Sequence, residues 1–416
     1  MGWKSTGGRK LSLLSTFFCS YVDNFCLSLV LPIFAPFFLD PQNQLFSSAV
    51  AIGERMSLLG LCLMAFPFGQ FFGAPILGNF ADRFGKRKAL LLTIPLVFLG
   101  LVISAISMDK NNLTFLFFGR LLTGFFTSNS PICFAAVSEL SKTRKEKLLN
   151  FSSFIPFAGF SIISGAFWGG KLSDPELNSS FSLSFPLWIG AFLSSLNFVL
   201  IFFGFKESRK KGRKTFSFLS SLRNFGQALS LKKMHKMYFV YFLLIFAWTI
   251  LFQFTPVWMI KKYQFTSSSI GDLAFFVGIF WAIGSGQSTW LCRVFSRKFA
   301  LKLSFFVAVD LIAYMSFQTS LYTTLFMFGG AVIAGGVLWP LCTSTISSLA
   351  GQRMEGKMLT ITQSIQSLAI TFGSIFGGMS LQWSFHTPFF FAAIAIAIGG
   401  ATLWTQDDSR IPSRKN

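Results

Sequence analysis

Long apolar runs fill the chain, and each is about as long as a helix that crosses a lipid bilayer. A hydrocarbon core about 30 Å thick needs roughly 20 apolar residues per helix. Within lipid every backbone N–H and C=O must be paired inside the protein, which favours helices. The sequence therefore predicts an all-α membrane protein with twelve transmembrane helices. The apolar runs lie at about 11–39, 56–80, 89–107, 113–140, 151–171, 183–205, 237–260, 268–291, 299–318, 320–349, 357–382 and 386–405.

Basic residues are distributed unevenly among the segments between these runs. If the amino terminus is cytoplasmic, cytoplasmic segments hold 30 of the 36 Lys and Arg residues and the other side holds five. An excess of Lys and Arg marks the cytoplasmic side, so both termini are predicted to be cytoplasmic. The net charge of +21 is spread over many short loops. It therefore predicts a lipid bilayer as partner and no nucleic acid, which requires a basic face on one solvated domain.

The longest polar stretch, residues 206–236, divides the twelve runs into six and six. It predicts a cytoplasmic linker between two six-helix halves, an N-terminal bundle at 1–205 and a C-terminal bundle at 237–416. The loop after the second run of each half has basic residues at the same spacing, as expected for a duplicated transporter. These residues are Arg83, Arg87 and Lys88 in the first half, and Arg293, Arg297 and Lys298 in the second.

The loop between the second and third runs combines an acid, glycines and several cations. Glycine allows a tight turn, and an acid among cations at a helix end makes charge-assisted hydrogen bonds. The pattern resembles the G-x-L-A-D-R-x-G-R-K signature of the major facilitator superfamily. The resemblance implies the major facilitator fold and a cytoplasmic gate in this loop; a simple basic turn is the alternative. The residues are Gly78, Asp82, Arg83, Gly85, Lys86 and Arg87.

Asp23, Arg120 and Asp310 are charged residues that lie well inside apolar runs. A charge at the bilayer centre costs about 2.5–3.5 kcal/mol on insertion scales, so such residues usually face a cavity or a partner. The segment around Arg120 resembles the R-x-x-Q-G-x-G motif of proton-coupled facilitators, with Thr123 in place of Gln. The segment around Asp23 resembles the first span of drug:proton antiporters. The resemblance implies that these residues couple transport to protons; structural hydrogen bonds between helices are the alternative.

One motif departs from the drug antiporter pattern. The fifth run has Ser161, Gly165, Ala166, Gly169 and Gly170 where antiporters have G-x-x-x-G-P-x-x-G-G. Three of the five positions match, and the missing proline removes a device that bends a helix. An uptake facilitator or symporter for a nutrient such as an amino acid or nucleoside is therefore kept as an alternative to export.

Polar residues within the runs are candidates for the lining of a substrate cavity, although helix-to-helix hydrogen bonds explain each of them equally well. We select Gln70 and Asn129 in the first half, and Gln363 and Gln366 in the second.

The expected function is transport of a small organic molecule by alternating access, with proton-coupled efflux as the leading hypothesis. The sequence has no phosphate-binding G-x-x-x-x-G-K-[ST] loop and no spaced Cys or His ligands, so we expect neither an enzyme, nor a cofactor, nor a metal site. The resemblance implies a monomer in the plasma membrane of a bacterium, its inner membrane, with the small-molecule substrate and protons as partners.

Overall fold

The computed structural model describes residues 6–40, 45–46, 50–207, 234–315, 317–350 and 355–404. Most of the predicted linker, residues 208–233, lies outside the described residues. Fourteen helices occur in the described part of the chain. They are α1 (Thr6–Ser28), α2 (Leu31–Leu39), α3 (Ile52–Phe84), α4 (Lys86–Asp109), α5 (Leu113–Phe126), α6 (Ser130–Leu140), α7 (Arg144–Lys171), α8 (Phe185–Gly204), α9 (His235–Tyr263), α10 (Ser267–Val294), α11 (Arg297–Met315), α12 (Leu321–Ala350), α13 (Glu355–Ser380) and α14 (Thr387–Trp404).

Two of the predicted spans are broken in the middle. A short gap separates α1 from α2, and residues 127–129 separate α5 from α6. A proline, Pro32 or Pro131, stands in the first turn of the second helix in each pair. Proline suits that turn because its missing N–H would have no partner there. With each pair counted as one crossing, the described helices give the twelve transmembrane helices that the sequence predicts.

Nine described segments are long and apolar enough to cross a membrane by length and composition alone, including α1 and α2 joined over Gly8–Leu39. The break leaves α5 and α6 with 14 and 11 residues, too few for either to qualify. The other two predicted spans, α11 and α13, contain charged or polar side chains that make them less apolar. Lys298, Lys302 and Asp310 lie within the 19 residues of α11, and α13 carries several Gln and Ser residues.

Contacts between residues divide the chain into two compact units. The first contains the described residues within 1–49, 65–221 and 266–275, and the second those within 50–64, 222–265 and 276–416. Each unit thus takes one short segment from the part of the sequence that mainly forms the other. The division of the chain into domains at the 206–236 linker stays a prediction.

Glycines let helix backbones come close together in the first unit. A Cβ on Gly119 of α5 would lie 2.9 Å from the backbone nitrogen of Ser104, and one on Gly100 of α4 would lie 3.0 Å from the Gly119 carbonyl oxygen. A Cβ on Gly124 would lie 2.7 Å from the Cα of Phe66 on α3. Small residues allow such packing in a bilayer, where helices gain nothing by hiding apolar surface from lipid. This packing fixes α5, which carries Arg120, against α3 and α4.

Candidate functional site

Asp23 is buried inside the first unit, with 4% of its surface exposed. Its two carboxylate oxygens accept hydrogen bonds from a single residue, Asn129. The Asn129 backbone N–H donates to Oδ2 at 3.2 Å, and the Asn129 side-chain Nδ2 donates to Oδ1 at 3.2 Å. A buried acid on α1 is therefore held by the break between α5 and α6.

The break places the start of a helix beside this acid. Asn129 immediately precedes α6 and occupies its N-cap position. The first N–H groups of a helix have no partner within the helix, and this end carries a partial positive charge. The Asn129 backbone N–H is one of these groups, and Asp23 accepts a hydrogen bond from it. The break thus supplies a neutral donor set for a charge in the middle of a span.

Thr93 holds the amide of Asn129 from the other side. Its Oγ1 donates to the Asn129 Oδ1 at 2.6 Å, and both residues are completely buried. Thr93 lies on α4, so a chain of hydrogen bonds joins α4, the break and α1. Sequence reasoning missed Thr93, because a lone threonine in an apolar run usually bonds to its own helix. Asn129 was selected as a cavity-lining residue, whereas the structure places it against Asp23 and Thr93.

Arg120 is also buried, with 2% of its surface exposed. The centre of its guanidinium group lies 4.8 Å from the Phe66 ring centroid and 5.6 Å from that of Phe34. Aromatic faces stabilise a desolvated cation by about 2 kcal/mol or more. Direct pairing of Asp23 with Arg120 stays a prediction.

Gln70 points to the same break from α3. Its Nε2 donates to the Thr127 carbonyl oxygen at 3.4 Å. The break is therefore contacted from α1, α3 and α4. Thr123, in place of the Gln of the family motif, is fully buried, and its Oγ1 donates to the Gly119 carbonyl oxygen at 2.7 Å.

The remaining candidates for the substrate cavity and for proton coupling lie on the helices of the second unit. Tyr241 donates to Gln366 Oε1 at 3.2 Å, and Gln363 is partly buried on the same helix, α13. Asp310 is partly exposed. On α11 it points away from the buried stripe that contains Ala308 and Ile312. Asp310 is thus not packed into the core of its own unit as Asp23 is.

The predicted gate loop joins α3 to α4 through one residue, Gly85, whose φ is 97° and ψ is 149°. Only glycine adopts this conformation without strain. A Cβ there would also lie 2.7 Å from Glu207 Oε2. A Cβ on Gly78 would meet nothing within 4 Å. The turn therefore requires the second motif glycine and not the first.

The motif cations connect this loop to neighbouring helices. Arg87 donates through Nε to the Phe205 carbonyl oxygen at 2.9 Å and through an Nη to that of Phe202 at 2.7 Å. Its backbone N–H donates to Glu207 at 2.9 Å. A cation at the carboxyl end of α8 and an acid at the amino end of α4 both suit the helix dipoles.

Lys86 of the motif forms an ion pair with Glu139 of α6, with 2.5 Å between Nζ and Oε1. Asp82 and Arg83 are exposed, and the Arg83 guanidinium lies 5.1 Å from the Phe84 ring centroid. Sequence reasoning missed Glu139 and Glu207, since neither stands at a motif spacing.

The chain resembles known proteins in both its sequence and its fold. The sequence pattern of the Major Facilitator Superfamily matches residues 13–332. The chain belongs to the major facilitator superfamily. Multidrug resistance protein 2 of Bacillus subtilis is 24% identical over 363 residues, which cover 82% of this chain and 84% of that protein. The class D tetracycline resistance protein of Salmonella ordonez is 24% identical over 319 residues, 74% of this chain and 76% of the relative.

A solved D-xylose–proton symporter has a similar fold, with a TM-score of 0.72 and 15% sequence identity over 97% of this chain and 98% of that one. Together with the family match, this likeness confirms the predicted major facilitator fold. A major facilitator protein is a multi-pass membrane transporter for small molecules. The predicted resemblance to the drug:proton antiporter group is confirmed by the multidrug and tetracycline resistance relatives.

Proposed function

We propose that this major facilitator protein exports a small organic molecule in exchange for protons, with Asp23 as the proton carrier. The observation that supports this most is the burial of Asp23 against neutral N–H donors at a helix break. The names of the multidrug and tetracycline resistance relatives support export of an organic molecule. Arg120 and Asp310 are the further candidates for coupling.

The proposed mechanism uses the break as a switch. Burial disfavours a carboxylate and N–H donors favour it, so a small change in either alters how readily an acid binds a proton. Asn129 donates from a segment that belongs to no helix, and movement of α5 against α6 would change its distance from Asp23. Asp23 then releases its proton when Asn129 donates and binds one when these hydrogen bonds lengthen. Alternation between the two conditions is what coupling requires.

The proposed gate includes the motif loop around Gly85. Arg87 and Glu207 fix the loop to the end of α8, and Lys86 fixes it to α6. The loop would therefore move together with these helices as access alternates. Asp82 lies exposed beside this anchored turn, and we propose that it makes the contact that opens and closes the cytoplasmic side.

We further propose that both termini are cytoplasmic and that the protein acts as a monomer in a bacterial inner membrane. The 30 basic residues assigned to cytoplasmic segments, against five on the other side, support this orientation. Reporter fusions at Asn112, Ser179 and Thr319 should be active only outside, and fusions at Lys145 and Lys211 only inside. A reversed pattern at most of these sites would contradict the orientation.

The function is tested in inside-out membrane vesicles, with a panel of labelled drugs as candidate substrates. Wild-type protein should accumulate a substrate when the vesicle interior is acid, and accumulation should collapse when the gradient is dissipated. Asp23→Asn should lose this accumulation but keep exchange of labelled for unlabelled substrate. Gradient-driven loading only into right-side-out vesicles, with amino acids or nucleosides as substrates, would favour the uptake alternative.

A further inference from the structure

Tryptophan and tyrosine in membrane proteins collect near the ends of helices, at the level of the lipid headgroups. The second unit has three tryptophans away from the ends of its long helices: Trp248 of α9, Trp281 of α10 and Trp339 of α12. Anchoring at the interface does not account for such positions. These rings contact one another within the unit, which points to a built site.

Five aromatic rings form a continuous cluster. Trp281 lies at its centre, with ring centroids 5.8 Å from Trp248, 5.8 Å from Trp339 and 5.6 Å from Phe252. Tyr241 extends the cluster, with its ring 6.1 Å from that of Trp339. All four of these contacts are edge-to-face, at interplanar angles of 63° to 90°. Such rings present faces to a further flat ring.

The cluster combines a rigid base with partly open rings. Trp248 is 2% exposed and Tyr241 is 1% exposed. The Trp248 indole lies directly against the backbone at Gly335, where any Cβ would overlap its ring. Trp281, Trp339 and Phe252 keep part of their surface open. A ligand would therefore meet three accessible rings that two buried ones hold in place.

The polar groups of the cluster are mainly donors. The Tyr241 hydroxyl donates a hydrogen bond to Gln366 Oε1. This bond fixes the orientation of the Gln366 amide, so that the amide N–H groups remain to donate. The Trp248 Nε1–H is buried and has no acceptor among the described residues. A buried donor without a partner costs free energy that a ligand oxygen would recover. The sequences of α9 and α12 contain no Asp or Glu, and the acids of α10 and α13, Asp272 and Glu355, lie more than two helical turns along the chain from Trp281 and Gln366. On these four helices no acid therefore lies next to the rings in the sequence.

We infer that the Trp281, Trp339 and Phe252 rings bind a flat, uncharged aromatic molecule that carries a carbonyl oxygen, with Gln366 and Trp248 as its hydrogen-bond donors. This inference rests on the proposed function, because it names the class of molecule that the protein exports. The rings give affinity for the flat surface, and the donors select the oxygen. A planar cation lacks the acceptor that these donors require.

The test uses three planar probes with purified full-length protein in lipid nanodiscs. Labelled 9-fluorenone is the ligand; fluorene has the same shape without the carbonyl, and N-methylacridinium is a planar cation. We expect saturable binding of 9-fluorenone, with competition by both fluorene and N-methylacridinium at least tenfold weaker, because neither carries the acceptor oxygen. Unsaturable binding of 9-fluorenone, or tighter binding of N-methylacridinium, would overturn the inference.

Matched variants locate the site. Trp281→Ala should weaken 9-fluorenone binding at least tenfold, whereas Trp290→Ala, the same change at an exposed position of α10, should not. Gln366→Leu removes one of the two donors, so it should reduce the preference for 9-fluorenone over fluorene and leave fluorene binding unchanged. Equal binding by Trp281→Ala and Trp290→Ala would contradict the site. If Trp281→Ala fails to fold, Trp281→Phe and Gln366→Leu decide, since a folding defect would not reduce only the carbonyl preference.

Binding is measured without a proton gradient, which separates this inference from the proposed function. Protein that binds 9-fluorenone as described but moves no protons would contradict proton coupling alone. Protein that couples transport to protons but binds 9-fluorenone equally in all variants would overturn the aromatic site alone.

Discussion

The polar centre of the first unit and the aromatic cluster of the second differ in chemistry. In the first, Asp23 and Arg120 are buried ionisable residues, and Asn129 and Thr93 form a hydrogen-bonded chain beside the acid. In the second, Trp281 and its neighbouring rings carry uncharged donors. An ionisable side chain can bind and release a proton, whereas ring faces pack against a flat ligand. We propose on this basis that the first unit carries proton coupling and the second carries substrate recognition.

The largest expected effects come from one substitution in each unit, each of which should impair a different property of transport. Asp23→Asn should reduce gradient-driven accumulation to background while substrate affinity stays within about twofold. Trp281→Ala should lower apparent affinity at least tenfold while the ratio of protons to substrate stays at the wild-type value. Transport assays in reconstituted vesicles measure both quantities for each variant. If both variants lose affinity and coupling together, the division of roles is wrong.

A smaller effect is expected at Thr93, which contacts Asn129 but not the acid. Thr93→Val keeps the side-chain shape but removes the donor to Asn129 Oδ1, at a cost of about 1–3 kcal/mol for an unsatisfied buried group. Gradient-driven accumulation should fall several-fold. Thr93→Ser retains a hydroxyl and should recover most of it. Equal accumulation by Thr93→Val and wild type would show that the position of Asn129 does not depend on this hydrogen bond.

The smallest effect concerns the connection between α3 and α4. The spacing of its basic residues recurs in the second half of the chain. Gly85 adopts a conformation that only glycine tolerates, so Gly85→Ala should cost about 1–3 kcal/mol. Gly78 lies inside α3 with open space around it, and Gly78→Ala should be neutral or stabilise by up to about 1 kcal/mol. Thermal unfolding of the purified protein compares the two. A lower unfolding temperature for Gly78→Ala than for Gly85→Ala would contradict the assigned roles.

The sequence predicts the helices well because apolar run length is a direct physical requirement of a bilayer. The breaks at α1–α2 and α5–α6 were missed, since average hydropathy does not register them. The sequence carries one signal at each break, a proline inside the apolar run. Pro32 and Pro131 each stand in the first turn of the helix that follows the break. The burial of Asp23 and Arg120 follows from the cost of a charge in lipid.

The partners of these residues were harder to predict. A hydrogen bond between helices depends on rotation and depth, which the sequence of one run does not fix. The hydrogen bonds of Asn129 to Asp23 and Thr93 were therefore not predicted. A role of Asn129 in lining a substrate cavity stays a prediction. The aromatic cluster was hidden by composition, because 18% of the chain is Phe, Trp or Tyr and many of these rings are exposed at the surface of the described residues. Only the position of Trp281 near the middle of its helix distinguishes it from them.

The central claim is that Asp23 carries the proton, and substrate-induced proton release tests it most directly. A substrate identified in the vesicle assay is added to purified protein in weakly buffered detergent solution, and the pH change is recorded. We expect wild type and Asp310→Asn to release protons on substrate binding and Asp23→Asn to release none, although it still binds the substrate. Proton release by Asp23→Asn at the wild-type level would contradict the account.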